Sequence, residues 1–90
     1  MNILITGPTS GIGYQAALAL AKQGHRLFLL CRNKLAGEKL AAEIQAIDNA
    51  QAATLLIADL ANFEQVRNAA KSFIDSGERL DVLINNAGIV

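Results

Sequence analysis

Short apolar runs alternate with amphipathic segments along the whole of this 90-residue chain, and that alternation leaves few folds open. Asn2–Thr6 is an apolar, β-branched run stopped by Gly7-Pro8, which predicts a buried strand. Gly11–Gln23 follows, with Ile12, Ala16, Ala19 and Leu20 at helical spacing and Gly24 placed to end the helix. Leu27–Cys31 is apolar throughout, as a strand covered on both faces should be. Asn33 is placed to cap a second helix with Ala36, Leu40, Ile44 and Ile47 on one stripe and Glu38, Lys39 and Glu43 in water. A third strand is expected at Ala53–Ala58. Asn62 then caps a third helix, with Gln65 as the far side of a capping box. The buried stripe expected there is Phe63, Val66, Ala70, Phe73 and Ile74, and Gly77 closes the helix. Leu80–Asn85 reads as a fourth strand.

Strands that alternate with helices over short connections form a parallel sheet, because parallel neighbours need crossover helices. Right-handed crossovers put the first two helices on one face. If the third helix passes to the other face, the strand order is 3-2-1-4. The expectation is an α/β fold: a partial, Rossmann-like, doubly wound parallel sheet of about four strands and three helices. No repeat, low-complexity tract or linker divides residues 1–90.

Composition narrows function mainly by exclusion. Eight basic residues balance eight acidic ones and are scattered singly, which argues against nucleic acid or an anionic membrane as partner. No apolar stretch approaches the ~18 residues of a membrane span, and Met1–Ile5 does not resemble a signal peptide. A single cysteine allows neither an internal disulfide nor a Cys-rich metal site, and suits a reducing, cytoplasmic compartment.

The junction Thr6-Gly7-Pro8-Thr9-Ser10-Gly11-Ile12-Gly13 carries the chemistry. A pyrophosphate must approach unpaired N–H groups at a helix N-terminus, where the helix dipole also favours an anion. Gly7 supplies the turn, Gly11 the close approach and Gly13 close packing of helix on strand, while Thr9 and Ser10 add hydroxyls. The spacing is neither Gly-x-Gly-x-x-Gly nor a P-loop, since no Gly-Lys-Ser/Thr closes it, so a nucleoside triphosphatase is not expected.

This turn resembles the cofactor loop of the short-chain dehydrogenases/reductases. Two further segments match that family in order: Asp59-Leu60, and Leu80-Asp81-Val82-Leu83-Ile84-Asn85-Asn86-Ala87-Gly88. The resemblance runs from residue 2 to residue 90. It implies a nicotinamide dinucleotide held by Gly7, Thr9, Ser10, Gly11, Ile12 and Gly13. It also implies that Asp59 and Leu60 sit at the adenine, and that Asn85, Asn86, Ala87 and Gly88 line the adenosine ribose and tie the fourth strand to its neighbours. Pro8 departs from the small residue many members carry and removes one backbone donor.

Within that fold the end of the second strand selects between NAD and NADP. Leu30-Cys31-Arg32-Asn33 has no acid until Glu38, and Cys31 stands where NAD-preferring relatives carry one. In isolation Arg32 reads as a solvated residue. In the fold it faces the ribose, where a guanidinium favours a 2′-phosphate, so NADP is expected over NAD. Asn33 either adds a hydrogen bond to the cofactor or serves only as the helix cap. The same stretch resembles members acting on retinoid-like or other apolar alcohols and on protochlorophyllide. Cys31 reads as packing rather than as a nucleophile, and His25 lies at the opposite end of the sheet. No metal ligand set is present.

Family members use a Tyr-x-x-x-Lys pair and a Ser on a carbonyl or alcohol substrate. Here the only tyrosine, Tyr14, is followed four positions on by Leu18, so no catalytic residue is assigned. The chain therefore reads as the N-terminal cofactor-binding half of such an oxidoreductase, truncated before the catalytic half. The alternatives are a non-catalytic dinucleotide-binding module or an inactive fragment. An open edge at the fourth strand, central in a complete sheet, predicts a chain that is marginally stable, homo-oligomeric or dependent on a further half.

Overall fold

The computed structural model describes residues 1–9 and 11–86. Ser10, Ala87 and Gly88, all expected at the cofactor, lie outside the described residues, as do Ile89 and Val90. The elements are β1 (Asn2–Thr6), α1 (Gly11–Lys22), β2 (Arg26–Cys31), α2 (Lys34–Gln45), β3 (Thr54–Ile57), α3 (Phe63–Asp75) and β4 (Val82–Asn85). The four strands form one parallel sheet in the order β3-β2-β1-β4.

Each face of the sheet carries its own core. Ile3, Ile5, Leu27 and Leu29 point to one side and pack with Ala17 and Ala21 of α1 and Leu40 and Ile44 of α2. Phe28, Leu30 and Leu56 point to the other side, with Ala58 and Ala69 of α3. Leu27 to Cys31 are all buried because β2 lies inside the sheet with helices over both faces. Phe73 meets Phe28 edge to face, with ring centroids 4.8 Å apart.

The helices differ in detail from the expected stripes. In α1 the buried positions are Gly13, Ala17 and Ala21, while Ile12 is 84% exposed and Ala19 is exposed. The smallest residues face the sheet, which lets the helix approach it closely. In α3 only Ala69 is buried; Val66 and Phe73 are half-buried, and Phe63, Ala70 and Ile74 are exposed. Phe63 opens the helix, and the Arg67 guanidinium lies 5.8 Å from its ring centroid. Glu43 is not simply a solvated residue, since it accepts the Tyr14 hydroxyl hydrogen and joins α2 to α1.

The strands also end differently. β3 is shorter than expected, although the Ala58 N–H still bonds the Cys31 carbonyl at 3.0 Å. β4 begins at Val82 because the residues before it serve as a clamp. The Asp81 carboxylate accepts the Asn2 N–H at 2.8 Å, the Asn2 carboxamide donates to the Arg79 carbonyl at 2.7 Å, and Glu78 pairs with Arg26. His25 sits at this same end, with Nδ1 3.4 Å from the Met1 amine and remote from the glycine turn.

Candidate cofactor-binding site

The C-terminal ends of β1, β2, β3 and β4 meet along one edge of the sheet, and the glycine turn leaves β1 there. Gly7 and Gly11 have φ of +61° and +59°, a region that residues with a Cβ rarely adopt. A Cβ built on Gly11 would meet nothing within 4 Å, so the start of α1 faces open space. The donors of the turn divide into two sets. The Gly7 N–H is spent on the Leu30 carbonyl at 2.9 Å, and Pro8, which is fully buried, has none. The N–H groups of the first helical residues, Gly11, Ile12 and Gly13, have no partner within the helix and remain for an anion.

A polar lock connects this turn to the end of β4. The buried Thr6 hydroxyl donates to the Asn85 Oδ1 at 3.1 Å, and the Thr6 Oγ1 in turn accepts the Asn86 N–H at 3.1 Å. The Asn86 Nδ2 donates to the Gly7 carbonyl at 3.0 Å. Asn85 and Asn86 therefore bind the end of β4 to β1 and to the turn that follows it. In the sequence Thr6 ends the strand and opens the junction motif, with no separate role assigned to it.

At the end of β2, Arg32 is exposed and makes no ion pair among the described residues. Asn33 is the cap of α2: its Oδ1 accepts the Ala36 N–H at 3.1 Å, which uses the acceptor half of the carboxamide. Lys34, also passed over in the sequence, opens α2, and no acid lies in the first turn. Two cations beside a helix N-terminus with no carboxylate make this corner favourable to an anion. Cys31, one residue before, is buried, and burial pushes its thiol above the ordinary value of 9.0. A protonated, buried sulfur is packing, not a nucleophile.

Beyond β3, Asp59 is shaped by the start of α3. Its N–H donates to the Gln65 Oε1 at 2.8 Å, and its Oδ1 accepts the Ala61 N–H at 3.0 Å. Asn62 accepts the Gln65 N–H at 3.1 Å, so one arm of the expected capping box forms. The returning arm goes to Asp59, because the Asn62 N–H is already bonded to the Asp59 carbonyl at 2.8 Å. Leu60 is exposed beside it. Among the described residues no group of three or more His, Cys, Asp or Glu could hold a metal ion.

A family model for short chain dehydrogenases matches residues 1–90. The chain belongs to the short-chain dehydrogenase family. It is 38% identical over 88 residues to retinol dehydrogenase 12 of Bos taurus, covering 98% of this chain and 28% of that protein. It is 41% identical over 86 residues to dehydrogenase/reductase SDR family member 13 of Bos taurus, covering 96% and 23%. Among solved structures, a 3-ketoacyl-ACP reductase from Sinorhizobium meliloti 1021 superposes with a TM-score of 0.85 at 38% identity, covering 99% of this chain and 34% of that one. L-Sorbose reductase from Gluconobacter frateurii, complexed with NADPH and L-sorbose, superposes with a TM-score of 0.85 at 30% identity, covering 98% and 33%. The chain thus spans about a quarter to a third of these relatives.

For a short-chain dehydrogenase the residues present fit a dinucleotide. Among the described residues the turn has bare glycines, N–H groups at a helix start with no partner inside the helix, and a cation in no ion pair at the next strand end. No helix of the described residues is long and apolar enough to cross a membrane.

Proposed function

We propose that this chain binds NADP in preference to NAD and is the cofactor-binding portion of an oxidoreductase acting on a small carbonyl or alcohol substrate. The observation that carries the preference is Arg32, exposed and unpaired among the described residues at the end of β2, with no acid in the turn that follows. Gly11, Ile12 and Gly13 would receive the pyrophosphate with Thr9 and Ser10 beside them. Arg32 would take the 2′-phosphate, and Asp59 and Leu60 would border the adenine. The backbone of Asn86, with Ala87 and Gly88, would lie along the ribose, and the Asn33 carboxamide keeps its Nδ2 available at that corner. The bound nicotinamide would supply the hydride chemistry.

This chain's own residues bind and orient. The only tyrosine, Tyr14, gives its hydroxyl hydrogen to Glu43, and its sequence context lacks the lysine four positions on. That favours, for these residues taken alone, a binding role over a catalytic one. The single cysteine suits a reducing, cytoplasmic compartment, and self-association would cover the open edge of the sheet.

Calorimetric titration with NADPH and NADH tests the reading. Binding to NADPH is expected to be the tighter. Arg32→Ala removes a charge-assisted contact worth about 1.5–3 kcal/mol and is expected to weaken NADPH by roughly ten- to a hundredfold, leaving NADH nearly unchanged. Equal affinity for the two cofactors, or an Arg32→Ala variant with an unaltered preference, contradicts it.

A further inference from the structure

Gly13 poses a different question from Gly7 and Gly11. It lies inside α1, where any residue adopts the backbone angles, and its φ is not positive. Glycine is the poorest helix former after proline, so something else keeps a side chain out. A Cβ at Gly13 would come 2.1 Å from Nδ2 and 2.8 Å from Cγ of Asn86, and 3.1 Å from the Gly7 carbonyl oxygen. The first two distances are shorter than real Cβ contacts. Asn86 has little freedom to step aside, since Thr6 holds its backbone N–H and Nδ2 is bonded to the Gly7 carbonyl. That carbonyl belongs to the Gly7–Pro8 peptide, which has no N–H, so Asn86 is bonded to the one polar group this peptide owns.

We propose that Gly13 is bare to admit the Asn86 carboxamide rather than the cofactor, and that Asn86 is a positioning residue holding the Gly7–Pro8 peptide of the turn. The steric half stands on the chain alone. The functional half rests on the dinucleotide reading above. Asn86 acts on affinity from behind the turn, by fixing the backbone that leads into the N–H groups of α1.

A double-mutant cycle on the full chain decides both halves, using Gly13→Ala, Asn86→Ala and the pair. Thermal midpoints without ligand read the steric half. Gly13→Ala is expected to lower the midpoint sharply when Asn86 is present, and most of that loss should vanish in the Asn86→Ala background. An equal loss in both backgrounds overturns it. Should Gly13→Ala fail to fold, recovery of folding in the double variant supports the inference, and failure of the double variant as well overturns it.

Titration with NADPH and with 2′-AMP, which carries the 2′-phosphate but no pyrophosphate, reads the functional half. Asn86→Ala is expected to weaken NADPH about tenfold while 2′-AMP changes by less than about twofold. Asn86→Asp keeps the shape without the donor, and should lose NADPH affinity yet remain incompatible with Gly13→Ala. Unchanged NADPH affinity, or a parallel loss of both probes, overturns the positioning role. A parent chain that binds no NADPH overturns the dinucleotide reading and the positioning role with it, while the midpoint cycle still decides the steric half.

Discussion

Cys31 and Arg32 are adjacent in sequence, and the end of β2 separates their fates. The Cys31 side chain turns inward against Gly37, whose Cβ, if present, would lie 2.6 Å from the sulfur. Arg32 is in water one peptide later. Burial raises the Cys31 pKa, so the unfolded chain releases that proton first as pH rises. Its contribution to stability is therefore level below about pH 8 and declines as pH climbs past the unfolded value. Denaturant unfolding of the parent and of Cys31→Ala across pH 7–10.5 checks this: the stability advantage of the parent should shrink at the alkaline end. An advantage constant with pH contradicts it. Arg32 makes the complementary prediction. Arg32→Asp places a carboxylate where a 2′-phosphate would lie and an acceptor where a 2′-hydroxyl would, so the order of NADPH and NADH affinities should reverse in competition titrations.

Elements, rather than single side chains, decide where Asp59 stands. The first turn of α3 reaches back through Gln65 to the Asp59 N–H, so the helix start and the loop after β3 order one another. Asn62→Ala removes the cap and should cost about 1 kcal/mol by denaturant unfolding. Gln65→Ala should also lower NADPH affinity several-fold in titration, although Gln65 is assigned no ligand contact; a loss confined to stability would sever that link. The caps at Asn33 and Asn62 were legible in the sequence because a cap is a local event, set by one side chain and the N–H three residues on. Strand order followed from alternation and crossover handedness, and the glycine turn from its spacing. The facing of α1 was not legible: Gly11–Lys22 is apolar nearly all round, so periodicity gives no phase, and close approach selects Gly13, Ala17 and Ala21 over Ile12. Phe63 misled for a related reason, since a stripe predicts which side a residue lies on but not whether the sheet extends beneath it. The Asn86–Gly13 contact joins residues at opposite ends of the chain, and no local pattern carries it.

At the scale of the whole molecule the two faces of the sheet are unequal. The face under α1 and α2 is closed by two helices, whereas α3 alone covers the other, mostly over β2 and β3. Between α3 and β4 this leaves an apolar groove of about 230 Å³ floored by Leu4, Leu30 and Leu56 and bordered by Phe73, Leu80 and Leu83. Leu83 is 58% exposed, and Ile74 on the groove wall is 72% exposed. Among the described residues β4 is hydrogen-bonded to β1 alone and its other side pairs with no strand, and Val82–Asn85 carries no charge to discourage pairing. An apolar groove beside an open edge drives association by burying area and by satisfying backbone bonds together. Sedimentation velocity over a hundredfold concentration range should show the parent chain growing in mass. Leu83→Lys combined with Ile74→Lys should hold it as a monomer and cut binding of an apolar dye. Both positions lie away from the glycine turn and Arg32, so NADPH affinity in the double variant should remain within about threefold of the parent. A parent that sediments as a monomer at every concentration contradicts the association. Loss of NADPH binding in the monomeric variant would instead show that association helps to build the cofactor site.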